Sequence, residues 1–215
     1  VNLKEYVTHD SLPLLLWQEK KSLMGINFYA HNMPVNTEEL IFLPGTHQRQ
    51  LTADQNGQAL SFRAYVEEDK YLEFIYTLAP DSYMVDFTVN TYHLNDVIAA
   101  NTNFLNLRWG ADMPQLEKSK DFENRYTGVY YRFSEDDVEN LSLTADEKVE
   151  LSNKVKWIAF KQQFFSSILV ADEPFSNVTL SSTLNKSSGY LKNAYTEVSL
   201  PYSGKQEESY AMHFY

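Results

Sequence analysis

The 215-residue chain contains no cysteine. That excludes disulfides, thiolate nucleophiles and cysteine-ligated zinc together, and it leaves an oxidising compartment as open as a reducing one. Glycine is scarce: seven residues, each standing singly, so no glycine-rich loop is present to cradle a phosphate. No run of about 18 apolar residues occurs, so no segment reads as a membrane-spanning helix, and no secretory leader stands at Val1. Basic charge is also short. Eighteen Lys and Arg face 29 Asp and Glu, a net charge of −11, so the chain as a whole repels nucleic acid and anionic membrane surfaces.

What the chain has is aromatic. Fifteen Tyr and 13 Phe exclude a disordered segment and supply a core. In "YLEFIYTLAPDSYMVDFTVNTY", Tyr71–Tyr92, Leu72, Phe74, Tyr76 and Leu78 alternate with Tyr71, Glu73, Ile75 and Thr77. Tyr83, Val85, Phe87, Val89 and Thr91 alternate with Met84, Asp86, Thr88 and Asn90 in the second half. Period-two alternation predicts two strands, and Ala79-Pro80-Asp81-Ser82 between them predicts a hairpin turn. The same texture predicts strands at Met24–Ala30, Leu60–Val66, Asn103–Trp109, Thr127–Phe133, Val178–Leu184, Tyr195–Leu200 and Ser209–Tyr215. Helical signals are two: a capping box at Thr144–Glu147 and a turn or two over Leu116–Phe122. The charged stretch Glu135–Lys154 reads as a surface excursion. No linker or repeat divides the chain, so one domain over 1–215 is expected, all-β, with few short helices.

Chemistry is sparse. His9, His31, His47, His93 and His213 read as surface or half-buried residues, with no ligand cluster among carboxylates. No G-x-S-x-G elbow anchors a serine site, and no D-x-D-x-D-G loop a calcium site. Glu67-Glu68-Asp69, Glu135-Asp136-Asp137 and Glu207-Glu208 read as solvated turns. Trp17, Trp109 and Trp157 could stack on a sugar, against the plainer reading of core aromatics. The sequons at Asn140, Asn177 and Asn185 are short enough to arise by chance. The residues thus predict no catalytic, cofactor-binding or metal-binding group.

The most apolar stretch is "KVKWIAFKQQFFSSILVADEP", Lys154–Pro174. Its uninterrupted pieces are too short to span a bilayer, and Lys161-Gln162-Gln163 would sit at the midplane. It reads as two core strands joined by a polar kink, with Trp157, Phe160, Phe164, Phe165, Ile168 and Leu169 expected inside. This stretch resembles the aromatic-led strand, Gln-Gln-aromatic turn and second strand of the large periplasmic domain of the YidC (Oxa-type) membrane protein insertase family. Other segments agree in order. "YTLAPDSYMVDFTVNTYHLNDVI" is similar to that family's central hairpin, "YTGVYYRFSEDDVENL" to the segment before the Trp strand, and "LPYSGKQEESYAMHFY" to its closing strand; "LPLLLWQEKKSLMGINFYAHN" matches more loosely.

The resemblance spans nearly the whole chain. It implies a β-supersandwich, two twisted antiparallel sheets of galactose-mutarotase-like shape, with no catalytic residues. It implies a monomeric soluble domain on the periplasmic face of the inner membrane, within a parent anchored there by one helix upstream of Val1 and five downstream of Tyr215. Implied partners are Sec translocon auxiliary subunits and nascent membrane proteins, with no nucleic acid; no partner-binding residue carries over. The start at Val1 and the end "SYAMHFY" read as cut from such a parent. The alternative is a carbohydrate-binding or mutarotase-like supersandwich protein, which needs an acid and a base facing one sugar.

Overall fold

Alternating apolar side chains cover one face of a pleat, and that pattern governs nearly every element. The computed structural model describes residues 1–31, 33–45, 52, 58–135, 137–187 and 189–215. In chain order the first strands are β1 (Asn2–Val7), β2 (Pro13–Leu15), β3 (Ser22–Ala30), β4 (Met33–Asn36), β5 (Leu43–Pro44), β6 (Gln58–Glu67), β7 (Lys70–Leu78) and β8 (Val85–Tyr92). After β9 (Phe104–Pro114) comes the helix α1 (Lys120–Asn124). Then follow β10 (Gly128–Phe133), β11 (Val138–Asn140), β12 (Glu147–Leu151), β13 (Val155–Lys161), β14 (Ser166–Leu184), β15 (Tyr190–Pro201) and β16 (Glu207–Phe214). The chain is all-β, a sandwich of antiparallel sheets. Among the described residues no helix is long and apolar enough to cross a membrane.

The chain groups into two compact units. The first comprises Val1–Met24, Arg108–Ile168 and Pro174–Val198. In it β1 pairs with β2, β10 lies between β11 and β13, and β12 pairs with β14 through Val149↔Leu180. Its core holds Val129, Ile158, Phe160, Leu180 and Leu191, with Trp109 stacked on Phe160 at 3.8 Å and tilted against Trp17 at 5.8 Å. Trp109 is therefore core, whereas Trp17 and Trp157 are half-buried.

The second unit comprises Gly25–Leu107, Leu169–Glu173 and Ser199–Tyr215. Here β5, β6, β7, β8 and β16 pair in that order, and Leu169–Ala171 of β14 pairs with β16. The expected hairpin is β7–β8, from Tyr71↔Tyr92 to Leu78↔Val85. Its turn holds Asp81 in the left-handed region at φ 53°, and the Met84 N–H donates to Ser82 Oγ at 3.1 Å. One face of this sheet is core: Leu72, Phe74, Phe87, Val89, Met212 and Phe214 are buried, with Phe87 packed on Phe74, Tyr76 and Phe214.

Four expectations need correction. Thr144–Glu147 opens no helix; the Glu147 carboxylate accepts the Ser142 N–H instead, and the chain bends there into β12. Glu135–Lys154 is no mere excursion, because it contains β11 and β12 and buries Leu141; Asp136 lies outside the described residues. The helix placed at Leu116–Phe122 forms over Lys120–Asn124, capped by Ser119, while Leu116 is buried ahead of it. In the apolar stretch, Phe160 and Leu169 are buried, but Trp157, Phe165 and Ile168 are half-buried and Phe164 is 68% exposed. The turn between β13 and β14 explains this. Gln162 N–H donates to the Phe165 carbonyl at 2.7 Å, and the Gln162 side chain goes inward to the Pro114 carbonyl. The polar residue takes the buried place, and the ring beside it faces out.

Candidate functional site

Cross-strand register builds the polar face of the second unit's sheet. Arg63, Glu73, Asn90 and Ser209 lie directly opposite one another on β6, β7, β8 and β16. One pair outward lie Tyr65, Tyr71, Tyr92 and Glu207; two pairs the other way, His213 lies opposite Asp86. All share the face opposite the phenylalanine core, because alternate residues of a strand point the same way.

Glu73 is the centre of this face and is 3% exposed. It accepts from Ser61 Oγ at 2.7 Å, Arg63 Nε at 2.7 Å and Asn90 Nδ2 at 3.4 Å. Burial alone would raise its pKa, but these donors and the Arg63 charge overcome that and hold it below the usual carboxylate range. The Arg63 guanidinium also lies over the Tyr71 ring at 4.8 Å, and Tyr71 contacts Tyr65 and Tyr92. A carboxylate so fully engaged is a fixed anchor, with little freedom to exchange protons with a substrate.

The second cluster is His213, whose Nδ1 lies 2.7 Å from Asp86 Oδ1 and whose Nε2 lies 2.7 Å from Asp172 Oδ1. Sequence reading grouped His213 with the surface or half-buried histidines and gave no sign that two carboxylates flank it. The three residues are far apart in sequence and meet only because β14, β16 and β8 are adjacent. His9 and His31 are exposed and His93 is half-buried beside Asp69, as expected of surface residues; His47 lies outside the described residues.

Of the acidic clusters, Glu67 ends β6 opposite Lys70 and Glu68-Asp69 form the exposed β6–β7 turn; Glu135 is likewise exposed. Glu207-Glu208 is not a turn but the start of β16, where Glu208 accepts the backbone N–H groups of Ser203 and Lys205 and the Tyr210 hydroxyl. Among the described residues, no group of three or more His, Asp or Glu side chains could hold a metal ion.

Two buried polar groups were invisible to sequence reasoning in the first unit. Lys192 is fully buried and donates from Nζ to the Leu143 carbonyl at 2.8 Å; burial lowers its pKa to about 8. Glu123 is buried and accepts the N–H groups of Leu116 and Glu117, with its pKa raised chiefly by burial. Among the described residues, neither has a nucleophile or a second titrating partner within hydrogen-bond distance, so each reads as a structural clasp.

The class defined so far is an all-β antiparallel sandwich whose polar clusters are internally satisfied. The family profile described as the YidC periplasmic domain matches residues 1–215. Curated relatives named "Membrane protein insertase YidC" include one from Parabacteroides distasonis, 36% identical over 214 residues, 99% of this chain and 33% of the relative. One from Bacteroides fragilis is 31% identical over 99% of this chain and 33% of the relative. One from Porphyromonas gingivalis is 34% identical over 94% of this chain and 31% of the relative. The chain belongs to the YidC periplasmic domain family. It spans about a third of the length of these relatives.

Proposed function

We propose that the chain is a non-catalytic accessory domain of a membrane protein insertase, held at the periplasmic face of the inner membrane. The carrying observation is the family match over all of residues 1–215, joined to relatives that bear the insertase name. The polar clusters agree with it: Glu73 and His213 are saturated by neighbours rather than poised toward a substrate. For the mutarotase-like alternative, Trp109 is buried and presents no face to a sugar.

Its role is then contact, with Sec translocon auxiliary subunits or with segments of nascent membrane proteins. A strand edge offers one physical route, because unpaired backbone groups accept an added strand. Among the described residues β12 pairs only with β14, and Lys148 and Glu150 on it are exposed. A photo-crosslinking residue at either position, in the full-length parent in membranes, should trap a translocon subunit or a nascent chain. Crosslinks no stronger than those from exposed Tyr83 in the second unit would count against this edge. Loss of substrate insertion on deleting residues 1–215 would support the accessory role, and unchanged insertion of every substrate tested would sink it.

A further inference from the structure

The first unit carries a cluster of exposed rings that its fold does not need. Phe164 is 68% exposed, Val7 62%, Phe122 46%, Tyr126 45% and Tyr6 43%. These residues are far apart in sequence, yet a closed circuit of contacts joins them. Tyr6 packs edge-on against Phe165 at 5.2 Å, beside Phe164. Phe165 is tied through its carbonyl to Gln162, and the neighbouring Lys161 Nζ donates to the Tyr126 carbonyl at 3.4 Å. Tyr126 contacts Phe122 at 5.3 Å. Glu123 binds the Leu116 N–H, and the Leu116 carbonyl accepts the His9 N–H at 3.0 Å, two residues from Val7. These links bring the two ring pairs, Tyr6–Phe165 and Phe122–Tyr126, onto neighbouring parts of this end of the unit.

The charges at this end differ from those of the whole chain. Around α1 the chain carries Lys118, Lys120 and Arg125 against Glu117 and Asp121, with the Glu123 carboxylate turned inward; Lys120 also reaches the Ser187 carbonyl, and the half-buried Lys161 holds the Tyr126 carbonyl beside the Tyr130 ring. On the β1 side the exposed charges are Lys4, Glu5 and Asp10. The rim is therefore not acidic, in a chain of net charge −11. Exposed aromatics with a cationic fringe are the composition that sits at a lipid headgroup layer, where rings enter the apolar boundary and Lys and Arg meet phosphates. We propose that this end of the unit, centred on Phe164, Phe122 and Tyr126, rests on a phospholipid surface. The proposal builds on the reading above, which sets the chain beside a bilayer.

The chain Val1–Tyr215 should co-sediment with vesicles of phosphatidylethanolamine and phosphatidylglycerol at low salt. Phe164→Ser and Phe122→Ser should each weaken binding about tenfold, the loss expected from leaving one phenyl ring in water. Lys118→Glu with Lys120→Glu should abolish the preference for phosphatidylglycerol over phosphatidylcholine vesicles. Tyr83→Ser, in the second unit, should change nothing; retained circular dichroism shows that each variant folds. No sedimentation above a vesicle-free control, or equal binding by Phe164→Ser, overturns the proposal. So does a concentration-dependent dimer that Phe164→Ser dissolves, which would assign the rings to a second copy. If vesicles fail to bind while deletion of the domain still impairs insertion, this inference falls and the accessory role stands.

Discussion

His213 is within 2.7 Å of a carboxylate oxygen at both ring nitrogens. Only the imidazolium has a proton on each nitrogen, so the charged form is the one this geometry fits. Partial burial lowers its pKa, but hydrogen bonds and charge from Asp86 and Asp172 win and raise it above the ordinary value. A raised histidine pKa contributes stability in full below the unfolded value and loses it as pH rises through the folded one. His213→Gln should therefore cost about 1 kcal/mol near pH 6, a figure kept small because both aspartates are half-exposed, and close to nothing near pH 9. Urea midpoints across that range check it; a pH-independent cost would mean that shape rather than charge matters.

Lys192 runs the opposite way. Its lowered pKa of about 8 means that the charged amine is disfavoured in the fold, and the penalty lifts as pH climbs from about 8 toward the unfolded value. Lys192→Met should raise stability at pH 7 by about 2 kcal/mol and remove the alkaline gain, read between pH 8 and 10 before tyrosine ionisation intervenes. A less stable variant would show that the bond to Leu143 outweighs the cost of burial. Neither Lys192 nor Glu73 was legible in the sequence. A polar residue at the alternate position of a strand looks solvent-facing until register supplies its neighbours, and register is a property of pairs of strands far apart in the chain.

Among the elements, those with strict alternation were legible. The β7–β8 hairpin, β6 and β16 formed where period two ran clean between turn residues. β14 was only half seen, because Asp172, Pro174 and Asn177 look like punctuation and yet lie inside one strand of 19 residues. Pairing with β12 and β16 overrides their weak local preference. Asn177 records the conflict: it holds φ 49°, a left-handed kink within the strand. Asparagine tolerates that region, and a β-branched residue does not. Asn177→Val should lower stability by about 1–2 kcal/mol while Asn177→Gly stays near neutral. Equal urea midpoints for the two variants would mean that the kink is not required. Phe164 was misplaced for a related reason. Hydrophobicity predicted burial, but the turn geometry set by Gln162 decides which way each ring faces.

For the molecule as a whole, the two units share chain in an unusual degree, since β3, β9, β14 and β15 each run from one into the other. We propose that they unfold together as one domain. Trp17, Trp109 and Trp157 all belong to the first unit, so tryptophan fluorescence reports on that unit and far-ultraviolet dichroism on both. Coincident urea transitions by the two probes are expected, and a second transition seen only by dichroism would make the units independent. The fold class was readable from composition and alternation, whereas this division of the strands depends on pairing between segments distant in the chain, such as β3 with β9 and β9 with β15.

β16 is laced to β8 through eight successive pairs from Glu207↔Tyr92 to Phe214↔Val85, and to β14 along its last residues. The backbone hydrogen bonds of such ladders lie across the strand axis. A pull applied along β16 therefore loads them side by side in shear rather than peeling them one at a time. Under such a pull the eight pairs that complete the sheet would have to break together, so they would act as a mechanical fastening.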